Sequence, residues 1–171
     1  MGKITFIVGG ARSGKSSYAI SLAVRAKKAA FIATCEALDK EMTSRIKKHR
    51  SERPKSWTTY EEPRNLAALV KGLPSTHDFV LIDCLTLFVS NLLLRKKNPK
   101  EIEREIVAVI KILRKRKGHS VIVSNEVGLG IVPHTRLGRD FRDVAGRINK
   151  AVAEKSDRMV FMISGIPWRI K

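Results

Sequence analysis

Lys15 and Ser16 close the run Gly9-Gly10-Ala11-Arg12-Ser13-Gly14-Lys15-Ser16, which fits G-x-x-x-x-G-K-S directly after the apolar stretch Ile4 to Val8. Glycines at this spacing let backbone N–H groups turn inward around phosphate oxygens, and the helix expected next presents its positive end to them. In this context Lys15 neutralises the outer phosphates of a nucleoside triphosphate, and Ser16 offers its hydroxyl to Mg²⁺. Asp83 ends a second apolar run, Phe79 to Ile82, and Glu126 follows a third, Val121 to Val123. Both carboxylates therefore stand where α/β sheets bind ligands, and both are candidates for holding the metal or taking the acceptor's proton.

A second kind of chemistry is suggested by His49, which lies among Arg45, Lys47, Lys48, Arg50 and Arg53. Neighbouring positive charge disfavours a protonated imidazole, so the ring is kept neutral and nucleophilic near pH 7, and the same cations hold a phosphate. A neutral imidazole attacking an α-phosphorus gives a phosphoramidate whose nucleotidyl group passes to a second acceptor. The competing reading is a solvated histidine on a basic helix. His77 and His134 fall in loop-like stretches and His119 just before a strand, so these read as structural or solvated.

Short apolar runs recur at Ile4 to Val8, Ala29 to Ala33, Phe79 to Ile82, Val121 to Val123 and Met159 to Ile163, and none alternates. Such strands belong in a parallel sheet covered on both faces. Helices are expected after the phosphate loop, with Tyr18, Ala19, Leu22, Ala23 and Ala26 as its buried face, from Leu85 to Leu94, over 98 to 118, and from Leu137 to about Lys155. In the 98 to 118 segment Asn98 caps, Pro99 fits the first turn, and Ile102, Ile106, Val109, Ile110 and Leu113 form one stripe. The class is α/β, P-loop NTPase-like, a mostly parallel sheet with helices on both faces, in a single domain over 1–171.

The chain has 171 residues, and 34 Lys plus Arg against 16 Asp plus Glu give a formal charge of +18. A surplus of this size points to a polyanionic partner, nucleotide or nucleic acid, or to a generally basic surface. With 43% hydrophobic and 29% charged residues, disordered, collagenous and coiled-coil classes are excluded. No apolar run approaches the ~20 residues of a membrane span, so a cytoplasmic protein is expected. Cys35 and Cys84 form neither a disulfide framework nor a zinc site and read as reduced thiols near strand ends.

Taken together, these motifs resemble the bifunctional adenosylcobinamide kinase and adenosylcobinamide-phosphate guanylyltransferase family of cobalamin biosynthesis. Beyond Gly9 to Ser16, the resemblance rests on Ile32-Ala33-Thr34, Asp39, Arg45-Ile46, His49-Arg50, Arg53-Pro54, Trp57 and Glu61. It continues through Asp83-Cys84-Leu85-Thr86, Ser124 to Gly128, Gly130 to Pro133, Gly146-Arg147 with Asn149, and Gly165-Ile166-Pro167. It implies phosphorylation of a corrinoid hydroxyl, then transfer of GMP from GTP to that phosphate through guanylylated His49, with Mg²⁺ as cofactor and GTP and ATP as substrates. It further implies that Gly9 through Ser16, Ala33, Thr34, Cys35, Arg50, Ser51, Glu52, Arg53, Glu61 and Asp83 contact nucleotide, and that the protein is a homo-oligomer, by resemblance a trimer. Lys150 stands where many members carry glutamine. The alternatives are a nucleic-acid-dependent P-loop ATPase, with Trp57 and Trp168 as stacking platforms, and a nucleotide-sensing protein without turnover.

Overall fold

In the computed structural model of the chain, residues 1–36, 43, 50 and 53–171 are described. Strands β1 (Lys3–Gly9), β2 (Ala29–Ala33), β3 (Thr58–Glu61), β4 (Phe79–Asp83), β5 (His119–Asn125), β6 (Arg158–Ile163) and β7 (Ile166–Arg169) form one sheet in the order β3-β2-β4-β5-β1-β6-β7. Every neighbouring pair is parallel except β6 with β7. Among the described residues the helices are α1 (Lys15–Ser21), α2 (Leu66–Gly72), α3 (Leu85–Leu94), α4 (Pro99–Lys115) and α5 (Arg136–Lys155).

Because the central strands are buried on both sides, their apolar residues divide between two cores. Ile4, Phe6, Val8, Ile32, Ile82 and Ile122 pack with α2, α3, α4 and α5. Ile7, Phe31, Leu81, Val121 and Val123 join Ala19 of α1 and Ala23 beyond it. This explains the unbroken apolar runs, since alternation marks a sheet with one wet face. Helix α4 shows which force dominates. Its Asn98 side chain accepts from the Lys100 N–H at 2.9 Å, a cap worth about 1 kcal/mol. Ile102, Ile106, Val109, Ile110 and Leu113 are each no more than 2% exposed, and burying each contributes about 1.5–3 kcal/mol at most. The stripe holds the helix; the cap sets where it begins.

Several elements differ from expectation. α1 stops at Ser21, short of Ala26, and the chain continues in tight turns, Ala23 N–H to Ile20 O and Ala26 N–H to Ala23 O. α4 ends at Lys115, before Gly118. β3, β7 and α2 were not expected. β3 is a half-exposed edge strand, and β7 carries a proline and is exposed along its whole length, so neither shows the doubly buried signature.

Two histidines are built into this scaffold as neutral rings. His119, the first residue of β5, pairs through Nε2 with Thr5 Oγ1 at 2.9 Å and sets its edge against Phe79. His77 is 6% exposed and pairs with the Tyr60 hydroxyl at 3.0 Å. Burial, reinforced by Lys3 and Arg158 around His119 and by Arg116 and Lys28 around His77, holds both below the ordinary histidine value. The folded state resists protons that the unfolded chain accepts near pH 6.5, so this contribution is complete above that value and is lost as pH falls below it. Asp78, held low by the Lys27 and Lys28 N–H groups, loses its contribution only in the carboxylate range near pH 4. Urea unfolding should therefore show a falling midpoint between about pH 7 and 5.5. Substituting His77→Gln and His119→Gln together should flatten that slope whatever the variant's absolute stability; an unchanged slope would refute the assignment.

Candidate active site at the C-terminal edge of the sheet

Parallel register brings the functional strand ends to one edge of the sheet, with Asp83 level with Ile7, two residues before Gly9. Gly9 of β1 pairs with Asn125 of β5, Asp83 of β4 with Val123 of β5, and Ala33 of β2 with both Asp83 and Glu61. The loop leaving β1 is tightly specified. A Cβ at Gly9 would stand 2.5 Å from the Met162 carbonyl oxygen, and Gly14 adopts φ +86°. These are the two defining glycines of the motif, whereas a Cβ at Gly10 meets nothing within 4 Å. Arg12 also takes a left-handed φ of 56°, which costs a non-glycine residue roughly 1–2 kcal/mol. The turn between β6 and β7 backs the loop, its Gly165 N–H donating to Ser13 O at 3.2 Å.

Lys15 is 8% exposed, and its ammonium donates to the Gly10 carbonyl and, at 3.4 Å, to Ser13 Oγ. Burial holds its pKa below the usual lysine value, with Cys84 and Asp83 pulling it back. Loop oxygens thus occupy the donors that a polyphosphate would take. Beside it, Ser16 Oγ donates to Asp83 Oδ2 at 2.7 Å. Both are hard oxygen donors. Among the described residues, no group of three or more His, Cys, Asp or Glu is placed to hold a metal ion. A hydroxyl–carboxylate pair at a phosphate loop fits an ion such as Mg²⁺, which keeps several waters and takes few protein ligands.

Asp83 is held by buried polar contacts that begin at Thr34. Thr34 is fully buried, and each of its polar groups is engaged: its N–H donates to Asp83 O at 3.2 Å, its hydroxyl donates to Cys84 O at 2.6 Å and accepts from Cys84 N–H at 2.9 Å, and its carbonyl accepts from Asn91 at 2.7 Å. Thr34 therefore fixes the strand end that carries Asp83. Ala33 is buried beside it. The buried Cys84 thiol is pushed up to about 12 by burial and by Asp83, so it is neutral near pH 7 and serves as packing, whereas half-buried Cys35 donates its thiol to Glu36 O at 3.6 Å.

Arg53 supplies a second cation. Its guanidinium lies 3.8 Å over the Phe31 ring, and its Nε and Nη1 are buried without a hydrogen-bond partner among the described residues. Burial lowers its pKa, while Asp83 and Glu61 raise it. Two desolvated donors on an always-charged group are suited to an anion's oxygens. Arg50 reaches Glu61 at 3.7 Å, both side chains more than half exposed, a contact worth at most about 1 kcal/mol. Trp57 is spent on Phe31 and Phe79, which removes one indole from the nucleic-acid alternative.

Glu126 stands across the sheet edge: its N–H donates to Gly9 O at 3.0 Å, and its Oε1 accepts from Gly128 N–H at 2.7 Å. His49, Ser51 and Glu52 lie outside the described residues. Two features escape sequence reasoning. Phe31 is read as core but also carries Arg53. Glu36 accepts from Arg64 at 2.9 Å and Arg95 at 3.1 Å, a clamp across separations of 28 and 59 residues that no local pattern announces.

The fold is shared with the RadB recombinase, at TM-score 0.54 and 15% identity over 93% of this chain and 73% of that one. It is also shared with a KaiC-like protein from Pyrococcus horikoshii OT3, at TM-score 0.54 and 11% identity over 93% and 70%. In sequence, the chain is 43% identical to "Bifunctional adenosylcobalamin biosynthesis protein CobP" of Pseudomonas aeruginosa, over 96% of this chain and 95% of that protein. It is 39% identical to "Bifunctional adenosylcobalamin biosynthesis protein CobU" of Escherichia coli, over 96% and 98%. The family profile described as cobinamide kinase / cobinamide phosphate guanyltransferase matches residues 5–170. A phosphate cradle, a paired hydroxyl and carboxylate beside it, and full-length similarity to bifunctional relatives agree, and the chain belongs to the cobinamide kinase / cobinamide phosphate guanyltransferase family.

Proposed function

We propose that one domain, residues 1–171, carries out both transfers at this sheet edge: phosphorylation of adenosylcobinamide, then guanylylation of the product through His49. The observation that carries the first half is the buried Lys15 ammonium docked on the cradle's own carbonyl, beside the Ser16–Asp83 pair. A nucleotide polyphosphate replaces those internal partners. In the kinase step the acceptor hydroxyl oxygen attacks the γ-phosphorus, the bond to the β-phosphate oxygen breaks, and the nucleoside diphosphate leaves. Lys15 and the loop N–H groups stabilise the charge that develops on the leaving oxygens. Asp83 or Glu126 receives the hydroxyl proton. Mg²⁺, held by Ser16 and Asp83 with Glu126 as a further candidate ligand, supplies charge neutralisation to the phosphates when bound.

In the second step a neutral His49 ring nitrogen attacks the α-phosphorus of GTP and pyrophosphate leaves, forming a phosphoramidate. A phosphate oxygen of adenosylcobinamide phosphate then attacks that phosphorus, freeing the imidazole and giving adenosylcobinamide-GDP. Arg50 and Arg53 face the α-phosphate as it changes hands, supported by Ser51, Glu52 and Glu61; the unpartnered Arg53 donors favour this role. Among the described residues no helix is long and apolar enough to cross a membrane, and a cytoplasmic enzyme with access to ATP and GTP is the reading we adopt. For the homo-oligomer, a trimer by family resemblance, edge strand β7 offers a surface in Ile166 and Trp168, exposed at 69% and 60%.

Incubation with GTP labelled on its α-phosphate should mark the protein through an acid-labile, alkali-stable bond, and His49→Ala should abolish the mark. A fully labelled His49→Ala protein would sink the covalent step. Lys15→Ala should depress phosphorylation of cobinamide by about 100- to 1,000-fold, the scale seen when one preorganised transition-state donor is removed. Turnover like that of the wild type would take the phosphate loop out of the mechanism.

A further inference from the structure

A corrinoid is far larger than the hydroxyl it presents. If that hydroxyl reaches a γ-phosphate in the cradle, the rest of the substrate must lie on surface that begins at the cradle. The segment leaving β5 is such a surface. Glu126 donates its N–H to Gly9 O at 3.0 Å, so residues 126–135 start at the root of the phosphate loop. This segment exposes Leu129, Ile131 and Val132 at 79%, 95% and 60%, and Leu137 in the first turn of α5 is 49% exposed.

The segment is pinned at both ends. Glu126 Oε1 accepts from Gly128 N–H at 2.7 Å; at the far end Arg139 donates to the Pro133 and His134 carbonyls at 3.1 and 2.8 Å, and Thr135 Oγ1 accepts from Gly138 N–H at 3.1 Å. Backbone and side-chain hydrogen bonds thus tie down a loop whose aliphatic side chains gain nothing from water. Clustered exposed aliphatics mark a contact surface, since burying them recovers about 25 cal/mol per Å².

We propose that Leu129, Ile131, Val132 and Leu137 form the platform that receives the apolar part of the corrin ring, setting the acceptor hydroxyl toward the cradle. This rests on the reading that the Lys15–Ser16 loop phosphorylates cobinamide. Continuity with the phosphate loop decides in favour of the acceptor substrate. A second copy of the chain is better served by β7, which offers an open sheet edge together with exposed Ile166, Trp168 and Ile170. A polyanion gains nothing from aliphatic side chains.

The test uses the full chain with Leu129→Ser and Ile131→Ser combined. Four readouts are needed: kcat/KM for cobinamide phosphorylation, retention of dicyanocobinamide in equilibrium dialysis by its visible absorbance, label incorporation from GTP, and molar mass by light scattering. The expected result is at least a tenfold fall in kcat/KM for cobinamide and weakened retention, with GTP labelling and mass as in the wild type. Unchanged kcat/KM and retention would overturn the platform. A fall accompanied by altered mass or by lost GTP labelling would also overturn it, the first assigning the face to contact between copies and the second showing that these side chains serve the fold rather than the acceptor. Failure of the underlying reading looks different: Lys15→Ala would then phosphorylate cobinamide as well as the wild type does.

Discussion

The hydrogen bond from Ser16 Oγ to Asp83 Oδ2, 2.7 Å long, joins residues 67 apart in sequence. It forms only if β1 and β4 keep their register across the intervening β5, in which Val123 pairs with both Asp83 and Ile7. In a doubly covered parallel sheet that register is set by packing, since a one-residue slip would exchange the two apolar cores. Phe6 and Ile7 belong to different cores, as do Leu81 and Ile82, so slippage in either strand would bury the wrong set on both faces. Hydrophobic pairing across the whole sheet thus sets the position of one hydroxyl against one carboxylate.

Register alone leaves the last residues of each strand free to fray, and here buried polar contacts take over. Thr34 closes β2 onto the Asp83–Cys84 turn and onto Asn91 of α3. Thr86 of α3 pairs with Ser124 at 3.0 Å and accepts from Asn125 N–H at 2.6 Å. Asn149 of α5 donates to Asn125 O at 3.1 Å. Each such bond is worth only about 0.5–1.5 kcal/mol net, but leaving a buried partner unmatched costs about 1–3 kcal/mol. Buried polar residues at the strand ends and on the helices packed against them therefore penalise any displacement of the strand ends more sharply than apolar packing would. Thr34, Thr86, Asn91 and Asn149 shape the site from beneath it.

What the sequence discloses follows from the range of the force involved. Strands β1, β2, β4 and β5 are legible because burial on both faces demands continuous apolar runs, and β6 shows the same kind of run, Met159 to Ile163, although only Val160 and Met162 in it are buried. The phosphate loop is legible because its glycine, lysine and serine spacing is local and Gly14 answers to a left-handed φ, although the carbonyl oxygen that crowds Gly9 is that of distant Met162. β3 is not legible, because Thr58 to Glu61 is half exposed and becomes a strand only when β2 offers an edge to pair with. β7 is hidden for the same reason, its proline and full exposure giving no core signal. Phe31 under Arg53 and the Glu36 clamp depend on side chains meeting from distant segments. Resemblance alone points to Thr34 as a nucleotide contact; its burial and hydrogen bonds add the task of holding the strand end that bears Asp83, which no sequence pattern announces.

The remaining question is why so basic a chain keeps two cations out of water at its centre. Among the described residues, most charged side chains lie at the surface, where counterions screen them within about 8–10 Å. Lys15 and Arg53 differ: burial lowers the pKa of each, and Asp83 is the carboxylate that raises both. Asp83 is shared between the two, and Glu61, the other carboxylate near Arg53, is shared with Arg50, so among these described residues three cations face two carboxylates and the site is short of negative charge. A polyphosphate supplies it, and because Lys15 and Arg53 have already lost much of their water, binding need not strip them again. The excess charge over the rest of the surface adds long-range attraction for the same anion. On this account, Asp83 keeps the two cations compatible before nucleotide arrives, while its hydrogen bond with Ser16 holds it beside the cradle.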